Sequence, residues 1–219
     1  MPSADLMLML LADARLPTAG HTQSAGLEPA VVDGLRTHDV PDYIALRLRT
    51  VTRVEASTAV VALHHLRQGC RLVDVEVAWA ARTPSQAMRS TSYAMGRAQL
   101  RIVRRLWPTH PSVVELANRP PRALVLAAAA DACGLSPLAL AKLVGYDDVQ
   151  TVASAALKLL PLDPAEVAAW VVQALPVVDD LAADVAHLTR PEEIPASGAP
   201  QIELWAEAHA VAERRLFNA

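Results

Sequence analysis

Apolar residues recur at helical spacing along almost the whole chain, and short polar or proline-containing stretches divide them into segments. Three pairs of a capping residue and a proline each precede a long apolar segment: Thr83-Pro84, Ser136-Pro137 and Asp163-Pro164. A side-chain oxygen followed by a ring that already fixes a helical φ is typical of a helix start. Gly34, Gly69 and Gly134 stand where helix ends favour a left-handed residue. These marks define most of the helix boundaries.

The periodicity and these marks predict a chain that is nearly all helix. Helices are expected at residues 5–14, 22–33, 42–67, 71–81, 85–106, 122–133, 138–160, 165–187 and 202–215. Residues 72–77 alternate as a strand would, but the chain offers no second strand for pairing, so we expect a helix there too. The predicted fold is a single-domain all-α bundle of about nine helices spanning residues 1–219.

Composition agrees with closely packed helices. Hydrophobic residues make up 53% of the chain and aromatic residues only 4%, so Ala, Leu and Val must build the core. Apolar content this high also exceeds what a monomer of this size usually needs. We therefore expect buried interfaces with partners.

Charge and cysteine usage exclude several function classes. The net charge of -3 argues against binding to a phosphate backbone, so no nucleic-acid partner is expected. No uncharged apolar run approaches the roughly 18 residues that a membrane span needs. Cys70 and Cys133 lie far apart and lack metal-ligand spacing, which favours a reducing compartment. The predicted location is the cytoplasm, without a membrane partner.

No set of polar residues has the spacing that catalysis or metal binding needs. His64 and His65 are adjacent, and so are Asp147 and Asp148, so on a helix each pair diverges. A phosphate-binding glycine loop is missing as well. We therefore expect no catalytic residue, no cofactor and no bound metal.

An arginine-rich segment allows two interpretations. Its arginines fall mostly on one flank of the helix predicted at 85–106: Arg89, Arg97, Arg101, Arg104 and Arg105. This flank is either simply solvated or a contact surface for an acidic protein partner, and the sequence favours neither.

The two ends of the helical array carry the most unusual segments. Residues 17–28 stack proline, glycine, histidine and hydroxyl residues, which predicts a tight turn of the kind that carries sites. Near the other end, Phe217 is the only phenylalanine of the chain and follows Arg215 closely. Residues 190–200 contain three prolines, so we predict a flexible linker there, followed by a C-terminal helix and docking tail at 201–219.

Four motifs in order carry a resemblance to a known family. They are Leu16-Pro17 through Ser24, Gly26, Leu27 and Glu28; Arg89 to Gly96; residues 156–162; and His209 with Arg215-Leu216-Phe217. On these motifs the chain resembles UreF, the helical urease accessory protein. His21 stands where that family usually has an aromatic residue, and Asp163-Pro164 replaces its usual Gly-Gln.

The resemblance implies a non-catalytic scaffold for urease maturation. It implies a homodimer that binds UreD, also called UreH, and recruits the GTPase UreG to apo-urease so that nickel is inserted. By motif match the partner-binding residues would be Pro17, His21, Ser24, Gly26, Leu27, Glu28, Arg215, Leu216 and Phe217.

Two alternatives stay open beside the scaffold. One is a helical enzyme with a site around His21, Ser24 and Glu28, since a helix starting at Thr22 would place Ser24 and Glu28 on one face. The other is a direct nickel carrier, although the histidines are scattered and form no tract.

Overall fold

A computed structural model describes residues 2–16, 22–213 and 215–217. The α-helices are α1 (Ala4–Leu11), α2 (Leu27–Val32), α3 (Val40–Arg49), α4 (Val51–Gln68), α5 (Leu72–Ala81), α6 (Gln86–Leu106), α7 (Pro111–Val114), α8 (Arg122–Ala132), α9 (Pro137–Leu159), α10 (Pro164–Val185) and α11 (Pro200–Ala210). Short 3₁₀-helices lie at Thr37–Asp39 and Pro191–Glu193. The described residues are 72% helical and contain no strand, so the all-α prediction is confirmed, including for residues 72–77.

The centre of the bundle is the alanine-rich α8, which is buried over nearly its whole length between α4 and α6. Small side chains allow this close approach, since helix axes can come together only as far as the contacting side chains permit. α9 packs against α4 on one side and α10 on the other. A single hydrophobic cluster runs through these helices.

Two glycines permit close helix crossings. A Cβ at Gly96 of α6 would overlap the carbonyl oxygen of Pro120, just before α8. A Cβ at Gly145 of α9 would lie 2.9 Å from Cγ1 of Val178 on α10. Neither position has space for a larger residue without a shift of its neighbour.

The structure divides one predicted helix and shortens two others. The helix expected at 42–67 breaks at Thr50, whose φ of -122° and ψ of -94° separate α3 from α4. The helix expected at 22–33 begins only at Leu27, because Ala25 and Gly26 have left-handed φ values of 50° and 78°. The last helix ends at Ala210 rather than 215, and the short α7 was not predicted.

The proline-rich segment at 190–200 packs against the bundle. Ile194 is buried, and Arg82 donates hydrogen bonds to the carbonyl oxygens of Ile194 and Glu192. This segment leads directly into α11, which lies on α2 and α6. The flexibility expected of this segment stays a prediction.

Side-chain hydrogen bonds fix α11 in this place. Trp205 donates its Nε1–H to Asp33 at the end of α2, at 2.7 Å. Glu207 accepts hydrogen bonds from the Ser85 hydroxyl and the Ala87 N–H at the start of α6, at 2.6 and 2.9 Å. Because α11 is held at both sides, the chain that follows it emerges beside the loop before α2.

Candidate partner-binding site

The loop before α2 is held by its own backbone geometry. Successive left-handed residues, Ala25 and Gly26, turn the chain so that the Ala25 carbonyl faces α3. The Tyr43 hydroxyl and the Arg47 guanidinium both donate to this carbonyl oxygen, at 2.7 and 2.8 Å. A Cβ at Gly26 would lie 2.8 Å from the Tyr43 hydroxyl oxygen, so both the φ value and the space require glycine here.

Arg47 is itself fixed by a buried ion pair. Its guanidinium donates to both carboxylate oxygens of Asp148 on α9, at 3.0 and 2.6 Å, and the Thr52 hydroxyl donates to Asp148 at 2.7 Å. Burial is the largest single influence and alone would raise the pKa of Asp148. The charge and hydrogen bonds of Arg47, the Thr52 hydroxyl and the Arg122 charge together outweigh it and hold that pKa below its usual value. The pair is therefore ionised, and it links the loop to α3, α4 and α9.

Glu28, in the first turn of α2, binds the C-terminal tail. Its carboxylate accepts the backbone N–H of Leu216 at 2.6 Å and that of Phe217 at 2.9 Å. Nε2 of His209, near the end of α11, lies 3.0 Å from the same carboxylate. Both side chains are buried, so these contacts form out of water, where charge-assisted hydrogen bonds are strongest.

The tail presents its side chains unequally. Phe217 is 4% exposed and belongs to the core cluster, and the Lys158 ammonium lies 5.0 Å from its ring centroid. Leu216 is 64% exposed, and Arg215 is exposed as well. Thus the tail is anchored through Phe217 and offers Leu216 and Arg215 to the surroundings.

A small cavity of about 140 Å³ lies behind the loop. Its lining includes Ser24, Arg47, Glu55, Asp148 and His209. The Glu55 carboxylate accepts the Trp79 Nε1–H at 2.6 Å. Burial raises the pKa of Glu55 above its usual value.

The structure brings together two segments that lie far apart in the sequence. Ser24, Gly26, Leu27 and Glu28 meet Leu216 and Phe217 through the Glu28 carboxylate. Ser24, Leu27, Glu28 and Phe217 are buried, so they shape this surface from below. Pro17 and His21, also predicted to bind a partner, lie outside the described residues. The role of all these residues in partner binding stays a prediction.

The arrangement removes the geometric basis of the enzyme alternative. That alternative required Ser24 and Glu28 to share a helix face, but the helix starts at Leu27, after Ser24. The Glu28 carboxylate is also engaged by the tail. Among the residues that the structure describes, no group of three or more His, Cys, Asp or Glu side chains could hold a metal ion. In the same described part, no helix has the length and apolar character needed to cross a membrane.

The residues that support the loop were not among the predicted site residues. Tyr43 and Arg47 are four residues apart and share one helix face with Val40, Ile44 and Leu48, which is a detectable signal of a polar contact on an otherwise apolar face. Their contact with Ala25, and that of Arg47 with Asp148, joins distant parts of the chain. The expectation that Asp147 and Asp148 diverge agrees with the structure, since Asp147 pairs with Arg122 instead.

Comparisons with known proteins agree with the resemblance. The family model described as UreF matches residues 36–175. The chain is 38% identical over 212 residues to the urease accessory protein UreF of Mycobacterium sp. strain JLS, covering 96% of each chain. It is 36% identical over 213 residues to the protein of that name from Mycolicibacterium vanbaalenii, again covering 96% of each. A third relative, from Mycobacterium bovis BCG Pasteur, is 38% identical over 163 residues, covering 74% of this chain and 75% of the relative.

Proposed function

Because the chain belongs to the UreF family of urease accessory proteins, we propose that it is a scaffold that binds UreD (UreH) and recruits the GTPase UreG to apo-urease for nickel insertion. In general terms, this role is a function in urease maturation, as an accessory factor rather than an enzyme. Nickel is the cargo of this process. The proposal also includes a homodimer that works in the cytoplasm.

The observation that carries the proposal is the junction of the loop and the tail at Glu28. Leu216 and Arg215 project from it, and neither is covered by the part of the chain described. Arginine is enriched among the residues that dominate interface energy, and an exposed leucine beside it supplies apolar area. The burial of Phe217 and the two N–H bonds to Glu28 fix the tail before binding. A surface fixed in advance loses less conformational entropy on association.

We assign UreD to this surface, with Pro17 and His21 in the same contact by motif match. Glu28 and Phe217 act indirectly, since they hold the backbone of Leu216 in place. Arg215 would make charge-assisted hydrogen bonds to UreD, and Leu216 would fill an apolar pocket.

Co-expression with UreD and UreG, followed by size-exclusion chromatography, tests the scaffold. The intact chain is compared with one that ends at Glu213, which keeps α11 complete. We expect UreD to co-elute with the intact chain and to be lost on truncation. Equal recovery of UreD with the shortened chain would show that the tail is not the docking element.

A further inference from the structure

One face of α6 is an uncompensated basic surface. Its exposed positions are Gln86, Ser90, Ala94, Arg97, Arg101, Arg104 and Arg105. At 3.6 residues per turn these positions fall within an arc of about 100°. α6 contains no acidic residue from Gln86 to Leu106. We call Arg97, Arg101, Arg104 and Arg105 the arginine face.

Several arginines of the bundle have a partner within the described chain, in contrast to three of the four on this face. Arg47, Arg67 and Arg122 each pair with an aspartate at 3.0 Å or less. Arg89, which the sequence placed on the same flank, donates instead to the carbonyls of Thr83 and Pro84. In the part of the chain that the structure describes, no hydrogen bond or ion pair engages the side chains of Arg97, Arg101 or Arg105.

A purely solvated flank does not account for all of these charges. Arg104 and Arg105 lie in the last turn of α6, where the helix dipole favours cations, and Arg104 also donates to the Leu116 carbonyl. Arg97 and Arg101 lie farther from the helix end. They form like-charged pairs at a spacing of four residues, Arg97 with Arg101 and Arg101 with Arg105, and such pairs destabilise a helix. Local structure thus explains Arg104 and Arg105 but not Arg97 and Arg101.

We propose that the arginine face binds an acidic surface of a second protein in the urease maturation assembly, and this inference rests on the proposed function. The chain as a whole carries a charge of -3, so this local basic face is complementary to an acidic protein rather than part of a basic domain. A nucleic acid would require a larger basic footprint than four arginines on a chain with net negative charge. An anionic membrane would also require apolar anchors on the same face, whereas the other exposed positions there are Gln86, Ser90 and Ala94.

The arginine face is separate from the tail surface. α11 contacts the start of α6, where Glu207 binds Ser85 and Ala87. The arginine face occupies the other half of α6, which packs beside α7, and Arg104 donates to the Leu116 carbonyl just after α7. Two partners can therefore bind at the same time, one at the tail and one at the arginine face, as a scaffold requires.

Charge reversal on the arginine face tests this assignment. Purified UreD, UreG and apo-urease are each titrated against the wild type and the Arg97→Glu/Arg101→Glu variant. The matched control is Arg49→Glu/Arg71→Glu, which makes the same charge change at two exposed arginines of α3 and the α4–α5 turn. The Arg97→Lys/Arg101→Lys variant keeps both positive charges, so it separates the effect of charge from any effect on helix packing.

We expect the Arg97→Glu/Arg101→Glu variant to bind one of the three partners about tenfold or more weakly than the wild type does. The control variant and the lysine variant should bind that partner with wild-type affinity. That interaction should also weaken between about 0.1 M and 1 M salt, where the screening length falls from about 10 Å to about 3 Å. Co-elution with UreD through the tail should persist unless UreD is the acidic partner.

Two results would overturn the inference while leaving the proposed function intact. One is unchanged affinity of the glutamate variant for every partner that the wild type binds. The other is a loss that appears only with a DNA duplex or with phosphatidylserine vesicles, which would assign the face to a different class of ligand. Absence of wild-type binding to all three proteins would instead contradict the proposed function itself.

Discussion

The carboxylate of Glu28 accepts the backbone N–H of Phe217 across 189 positions of sequence, at 2.9 Å. This bond, together with that from the Leu216 N–H, joins the loop before α2 to the tail after α11. The two segments that stand out in the sequence are therefore one surface in the folded chain. The stability of this surface depends on buried residues, which are not themselves exposed to solvent.

Replacing Glu28 by Gln should release the tail. A glutamine carries one acceptor oxygen in place of two, and its amide group would face a backbone N–H or His209. We expect a loss of about 1–3 kcal/mol in the free energy of unfolding, as for a buried donor left unsatisfied. Hydrogen exchange at the Leu216 and Phe217 amides should accelerate. Glu213→Gln, at an exposed tail residue, is the control and should leave exchange unchanged.

Replacing Arg47 by Ala should destabilise the fold and loosen the loop. The change leaves the largely buried Asp148 carboxylate without its main partner, which costs about 3–5 kcal/mol in the free energy of unfolding. It also removes one of the two donors to the Ala25 carbonyl. Urea denaturation measures the effect. Arg49→Ala, at an exposed residue of the same helix, should stay within about 0.5 kcal/mol of the wild type.

The Glu55→Gln variant should gain stability relative to the wild type as pH rises. Burial raises the folded-state pKa of Glu55, so its contribution to stability is complete below the pKa of an unfolded glutamate, about 4.3, and is lost as pH rises through the higher folded value. Glutamine carries no charge at any pH, and its oxygen can still accept the Trp79 N–H. The difference in unfolding free energy between variant and wild type, followed by urea denaturation from pH 4 upward, should therefore shift in favour of the variant. A difference that is flat with pH would contradict the raised pKa.

Replacing Gly96 by Ala should force α6 away from the segment before α8. The added Cβ would overlap the Pro120 carbonyl oxygen, which is backbone and cannot rotate away. We expect a loss of about 1–3 kcal/mol in unfolding free energy and a lower thermal midpoint. Gly198→Ala is the matched control, since a Cβ there meets no atom within 4 Å. A thermal midpoint equal for both variants would show that this crossing is looser than described.

Most of the helices could be predicted because their boundaries are local. Ser136 and Asp163 accept hydrogen bonds from N–H groups of the first helical turn, as their spacing before the apolar segments indicates. The helix expected after Thr83-Pro84 is instead capped by Ser85, two residues later than Thr83. The break at Thr50 could not be predicted, since no proline or glycine marks it. Nothing in residues 211–213 alone signals that the last helix ends at Ala210.

Individual residues of the candidate site could be predicted from the sequence, but their arrangement in space could not. The motifs named Glu28 and Phe217, yet pairing of a carboxylate with backbone N–H groups so far along the chain leaves no mark in local spacing. The left-handed Ala25 was hidden because an alanine does not signal that conformation, as Gly26 beside it does. Tertiary contacts with Tyr43 and Arg47 keep it there.

The most direct test of the account is the affinity for UreD of three single variants in otherwise intact chains. Leu216→Ala removes the exposed tail side chain, Phe217→Ala removes the buried anchor, and Val211→Ala changes an apolar residue that is 83% exposed just after α11. We expect Leu216→Ala to lose affinity by about tenfold or more without a change in thermal midpoint, as for a side chain at the interface. Phe217→Ala should lower both the affinity and the thermal midpoint, and Val211→Ala should lower neither. Wild-type affinity of the Leu216→Ala and Phe217→Ala variants would contradict a tail that is held in place to bind UreD.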